Sequence, residues 1–117
     1  MCNERIEHIS IAEDFSRYPA GRFMEDGRFN GTAFREQVLS PRLRALENTT
    51  IRLIVSLDGV AGVGSSFLEE AFGGLVRAEG MTKEFLDNHL TVTADDENLK
   101  DFVELAQQHI VNAARAQ

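Results

Sequence analysis

In Ile51-Arg52-Leu53-Ile54-Val55-Ser56-Leu57-Asp58-Gly59-Val60-Ala61-Gly62-Val63-Gly64-Ser65-Ser66-Phe67-Leu68-Glu69-Glu70-Ala71-Phe72-Gly73-Gly74-Leu75 the hydrophobic pattern changes period once. Ile51 to Leu57 is a run of β-branched and leucine residues broken only by Arg52 and Ser56, the pattern of a central strand covered on both faces. Asp58-Gly59 leaves the strand, and from Phe67 the apolar residues Leu68, Ala71, Phe72, Leu75 and Val76 recur at helical spacing until Gly80 stops them. Ser66 and Glu69 have the spacing of a capping box for that helix. Gly73 and Gly74 weaken a helix by about 1 kcal/mol each relative to alanine, so a close approach of this backbone to something, such as the sheet, is expected.

Upstream, Ile6, Ile9 and Ile11 with His8 and Ser10 read as a short half-buried strand. Phe15 to Gly31 carries Pro19, Gly21, Gly27 and Gly31 around Phe23 and Phe29, a long structured loop or small hairpin, with both aromatic rings expected as lids on the core. Thr32 begins a helix through Phe34, Val38 and Leu39 that Pro41 should interrupt, with a second piece from Arg42 to Glu47. Downstream, Thr82 to Asn88 reads as a helical turn and Leu90 to Thr93 as a further strand. Thr93 with Asp96 is a second cap signature, and Leu99, Phe102, Val103, Ala106, Ile110 and Ala113 form the stripe of a C-terminal amphipathic helix within residues 94–117. Strand and helix in alternation imply an α/β fold: a small, mostly parallel sheet with right-handed crossovers and helices packed against it.

The 117 residues, 43% hydrophobic and 26% charged, suit one compact domain over 1–117. The net charge of −7 argues against a phosphate-backbone footprint, and hence against nucleic-acid binding. The longest uncharged stretch, Gly59 to Leu68, is far below the roughly 20 apolar residues of a membrane span. No apolar segment follows the polar start, and the lone Cys2 fits a reducing compartment, so a cytoplasmic protein without a cysteine metal site is expected.

Asp58 to Ser66 follows the carboxyl end of the central strand, where open α/β sheets place their ligands. Gly59-x4-Gly64-Ser65-Ser66 has the spacing of a phosphate-binding loop, but Ser65 stands where the lysine belongs, so nucleotide hydrolysis is not expected. Gly64-Ser65-Ser66-Phe67 does not fit a nucleophile elbow. His8, His89 and His109 lie on different elements, with nothing in their spacing to supply a base. The reading is therefore of a non-enzyme with no cofactor and no metal.

The run Leu57-Asp58-Gly59-Val60 with Gly62-Val63-Gly64-Ser65-Ser66-Phe67-Leu68-Glu69-Glu70-Ala71-Phe72-Gly73-Gly74-Leu75 resembles the bacterial STAS-like domain family, as do Gly21-Arg22-Phe23, Asp26-Gly27 and Phe34-Arg35. The resemblance covers about residues 6–93. STAS domains, anti-sigma factor antagonists among them, are similar in having a strand ending in Asp, a loop, and a helix that opens with Asp-Ser-Ser or Asp-Ser-Thr and Gly. In them the first serine is phosphorylated by a partner kinase. By position that serine is Ser65, while Gly64 replaces the motif's Asp and Phe67 its Gly.

The resemblance implies a bacterial signalling switch that binds a protein partner, a kinase-like ATPase or a signalling protein. Ser65 is the phosphoacceptor candidate, with Ser66 beside it, and Asp58, Gly62, Gly64, Phe67, Glu69, Glu70, Arg22 and Arg28 make up the binding surface. A homodimer stays open. The alternative is a small-ligand or nucleotide sensor using the Gly59–Ser66 loop. Partner binding predicts an exposed apolar patch near Val60, Val63 and Phe67, whereas ligand binding predicts a closed pocket with Arg22 or Arg28 facing Gly64.

Overall fold

Parallel strands need long crossover connections, and the segments between the apolar runs of this chain are long enough to provide them. The computed structural model, which describes residues 5–117, contains three parallel strands in the order β1-β2-β3. They are β1 (Ile6–Ser10), β2 (Arg52–Ser56) and β3 (Leu90–Thr93). Ile9 pairs with Val55, and Val55 with Val92. Cys2 lies outside the described residues.

Helix α1 (Ile11–Asp14) follows β1 directly: Ser10 caps it by accepting from the Glu13 amide, and Ile11, expected in the strand, is its first residue. Helix α2 runs from 31 to 44, α3 from 65 to 77, α4 is Lys83–His89 and α5 is Lys100–Arg115. Because the strands lie in sequence order, right-handed crossovers put both connections on the same face. Helix α3 accordingly packs between α2 and α5 over that face.

The sheet therefore departs from the expected two-sided cover of β2. Leu53 and Val55 are fully buried beside Ile9, Leu90 and Val92, whereas Arg52, Ile54 and Ser56 point the other way and are only half-buried. One continuous core unites the inner face with Phe34, Leu39, Leu43, Phe67, Leu68, Phe72 and Leu75. Phe15, Phe34 and Phe67 stack into an aromatic cluster with centroids 5.2 to 6.2 Å apart, which positions both the start of α3 and the long loop.

Pro41 does not interrupt α2. The helix starts one residue before Thr32, with Asn30 accepting from the Ala33 amide. It then widens into a π-helical stretch, Arg35–Leu39, and continues through Ser40–Arg44. Pro41 is exposed and follows directly on the π-helical stretch, where the Ser40 amide already reaches back five residues to Arg35 O. Helix α3 has a matching π stretch, Glu69–Gly73. Gly80 ends the segment as expected: it adopts φ +75°, its amide reaches Val76 O, and the Met81 amide reaches Leu75 O. The second cap is made by Asp96 alone, which accepts from the Asn98 amide to start the short 3-10 turn Glu97–Leu99; Thr93 is the last residue of β3.

Candidate functional site

The 15–31 connection is an ordered loop closed on itself, with no hairpin in it. Ala20 donates to Phe29 O, Gly31 to Gly21 O and Thr32 to Arg22 O. The Asp26 carboxylate accepts from the amides of Arg22 and Phe23, and those two bonds hold it below the usual carboxylate range. Such closure makes a compact surface loop of the kind that often carries function. At its start, Arg17 Nε donates to Gly59 O and the Ala61 amide to Arg17 O, so the loop lies against the 58–64 segment.

Apart from Ile6 on β1, the exposed large apolar side chains among the described residues lie on this loop. Tyr18 is 69% exposed, Met24 64%, Phe23 45% and Phe29 37%. Phe29 touches the core through an edge contact with Phe15 at 5.6 Å, but Phe23 is no lid. The patch expected at Val60, Val63 and Phe67 does not exist, because all three side chains are buried under the loop and helices. Phe67 is wholly buried and so is removed from the binding surface.

Helix α3 begins at Ser65 with Gly64 as its N-cap, and no side chain caps it. The Ser66–Glu69 capping box is absent because Ser66 is the second residue inside the helix, and Glu69 is bonded elsewhere: it accepts from Arg22 Nη1, and its Oε2 accepts from Arg77 Nη1 at 2.5 Å. Burial alone would raise the Glu69 carboxyl, but the two guanidinium groups outweigh it and hold it below its ordinary value.

Glu70, expected at the surface, is buried instead. Its Oε2 accepts from Arg35 Nη1 at 2.7 Å, and its other oxygen meets Arg77 at 3.2 Å and Arg22 at 3.6 Å. Arg22 is thus turned to Glu69 and Glu70 and away from Gly64, and Arg28 lies over the Phe29 ring at 5.4 Å. Arg35 also donates from Nε to Glu79 Oε2 at 3.0 Å, and Glu79 accepts from Ser40 and Arg44. Among the described residues no buried side-chain nitrogen or oxygen lacks a partner.

This network answers the glycine pair. A Cβ on Gly74 would run into the Arg35 guanidinium, and one on Gly73 would sit 2.8 Å from Glu69 Oε2, so the close approach is to charged side chains and not to the sheet. The buried Arg35 was the functional-scale feature that sequence reasoning missed; its one signal was Phe34-Arg35 facing a double glycine.

Asp58 is likewise committed. Its carboxylate accepts from the Asp95 amide at 2.9 Å and from the Asp96 amide at 3.0 Å, which ties the end of β2 to the β3–α5 turn and depresses its pKa. Gly62, Gly64, Ser65 and Ser66 are exposed. His109 on α5, unremarkable by spacing, places Nε2 3.3 Å from Ser65 Oγ. Desolvation, partly countered by the Glu69 charge and reinforced by Arg22, lowers the His109 pKa from its ordinary 6.5. His89 is a buried ring bonded through Nδ1 to Ile51 O at 2.8 Å, and His8 is exposed.

Among the described residues no cluster of three or more His, Cys, Asp or Glu is gathered to hold a metal, and no helix is long and apolar enough to cross a membrane. A parallel three-stranded sheet with helices packed around it, and an Asp two residues past the end of β2 that is followed by a loop and a helix opening on two serines, define a small α/β protein of the STAS-like class. The model of the family described as STAS-like domain of unknown function (DUF4325) matches residues 30–100, and the chain belongs to that family. No curated protein and no solved structure matches. The exposed loop and His109 both lie outside the matched residues.

Proposed function

We propose that the chain is a regulatory interaction module that docks on a protein partner through the 17–29 loop and the adjoining 58–66 segment. The observation that carries this reading is the exposure of Tyr18, Phe23, Met24 and Phe29 on a loop fixed by its own hydrogen bonds. Several large apolar side chains exposed on one short loop suit an association surface, and a loop already ordered loses little entropy on docking.

Ser65 is the control point of this reading. It is exposed at the start of α3, beside the segment to which the loop is bonded. Phosphate there would add about −1.5 to −2 charge at a helix N-terminus, which favours anions, with His109 within reach and Glu69 opposing it. A kinase-like ATPase or another signalling protein is the partner class, and the module acts by binding, without turnover. The ligand-sensor alternative gains no support from Arg22, which is occupied by Glu69 and Glu70.

The test is partner capture from a lysate of the source cells with Ser65→Ala and Ser65→Glu as paired baits. A protein retained by one bait and lost from the other supports the switch. Identical captures by the two baits contradict it.

A further inference from the structure

A serine hydroxyl is a weak nucleophile until a base takes its proton, and the first requirement for that is a ring nitrogen within hydrogen-bond reach. Ser65 meets it: with the proton on Nδ1, His109 Nε2 accepts from Ser65 Oγ at 3.3 Å. The two residues come from different helices, α3 and α5, which pack together along their lengths. Ser65 is exposed, so an incoming group can reach Oγ from solvent. Beside the pair lies an open cavity of about 270 Å³ lined by Glu69, Arg77, His109, Asn112 and Ala113.

We infer that His109 is an in-chain general base that activates Ser65 as the acceptor of a phosphoryl group. In the step, Ser65 Oγ forms a bond to phosphorus while the bond from phosphorus to the leaving group breaks. The electron pair departs with that group, a nucleoside diphosphate when the donor is a nucleoside triphosphate held by a partner. The Ser65 proton passes to Nε2 and leaves His109 as an imidazolium, close to the new phosphate. The charged groups around the ring are Glu69 and Arg77 from α3 and Arg22 from the loop. On its own helix the neighbours one turn away are Leu105, Ala106, Asn112 and Ala113, none of them titratable. Partial burial favours the neutral ring, the form a base requires.

This inference rests on the reading of Ser65 as the acceptor, and the test separates the two by needing no partner. The protein is incubated with a fluorophosphonate, which phosphonylates activated serines with loss of fluoride. Adduct formation is followed by intact mass and peptide mapping from pH 5.5 to 8.5 in wild type, Ser65→Ala, His109→Ala and His109→Gln, with circular dichroism to check each fold. The expected result is a single adduct on Ser65, lost in Ser65→Ala and slowed about 100-fold or more in both His109 variants. The wild-type rate should fall as pH drops through the His109 titration, and the variants should lack that dependence. No labelling of Ser65 above that of Ser66, or an equal rate without His109, overturns the inference. Either leaves the partner-capture test of Ser65 standing by itself.

Discussion

Arg35 Nη1 donates at 2.7 Å to both the backbone carbonyl and the Oε2 of Glu70, joining the π stretch of α2 to that of α3 inside the protein. Two helices that each break regular geometry do so where this pair crosses between them. Gly74 leaves the space that the guanidinium occupies, which a Cβ at that position would fill. The pair fixes the spacing between α2 and α3, and so the base on which the 17–29 loop and Ser65 sit.

Removing the guanidinium leaves Glu70 and Glu79 without their buried partner. Arg35→Ala should cost about 3–5 kcal/mol of unfolding free energy. Arg44→Ala, which removes an exposed partner of the same Glu79, should cost no more than about 1 kcal/mol. Urea denaturation of the two variants checks the contrast.

Gly74→Ala tests the same crossing by steric means. Helix propensity alone favours alanine by about 1 kcal/mol. Here the added Cβ meets Arg35, so the substitution should lower the melting temperature. Gly62→Ala, where an added Cβ meets nothing within 4 Å, should leave it within a degree or so.

Acid should loosen this network in a defined direction. Burial raises the Glu79 carboxyl, but Arg35, Arg44 and Ser40 outweigh it, and its pKa falls below the ordinary 4.5 as that of Glu69 does. The stability they contribute is fully present above about pH 4.5 and lost as pH falls through their lowered values. His109 has the same sign at higher pH: its folded pKa is depressed, so stability declines as pH drops from 6.5 through that lowered value, and His109→Gln should flatten that part of the curve. Urea midpoints between pH 7.5 and 3.5 give both.

Thermal unfolding with ATP, GTP or inorganic phosphate distinguishes the docking module from a ligand sensor. A ligand at 100 times its Kd would add about 2.7 kcal/mol and raise the melting temperature by several degrees. None of the three should shift wild type or Ser65→Ala. A rise abolished by Ser65→Ala would favour the sensor.

Much of the fold was legible because it is written in local pattern. The strands at Arg52–Ser56 and Leu90–Thr93, the stop at Gly80 and the C-terminal stripe each follow from periodicity or a single turn residue. The helix through Pro41 was not, because a π turn is invisible to spacing. At the candidate site, Ser65 was legible as an exposed hydroxyl at a helix start. Glu70 and Phe67 were misplaced to the surface because their burial depends on which way α3 turns against α2 and the loop. The Ser65–His109 contact spans 44 positions, and no local pattern reports it.

The central claim is that the 17–29 loop is the docking surface, and the double variant Tyr18→Ser/Met24→Ser tests it most directly. Both side chains are more than 60% exposed and the one bond lost is the weak one from Asn30 Nδ2 to Met24 Sδ, so stability should stay within about 1 kcal/mol of wild type. Quantitative capture from source-cell lysate with wild-type and double-variant baits should show a partner that wild type retains and the variant loses by at least tenfold. An unchanged set of captured proteins, with the variant folded as wild type, would contradict the account.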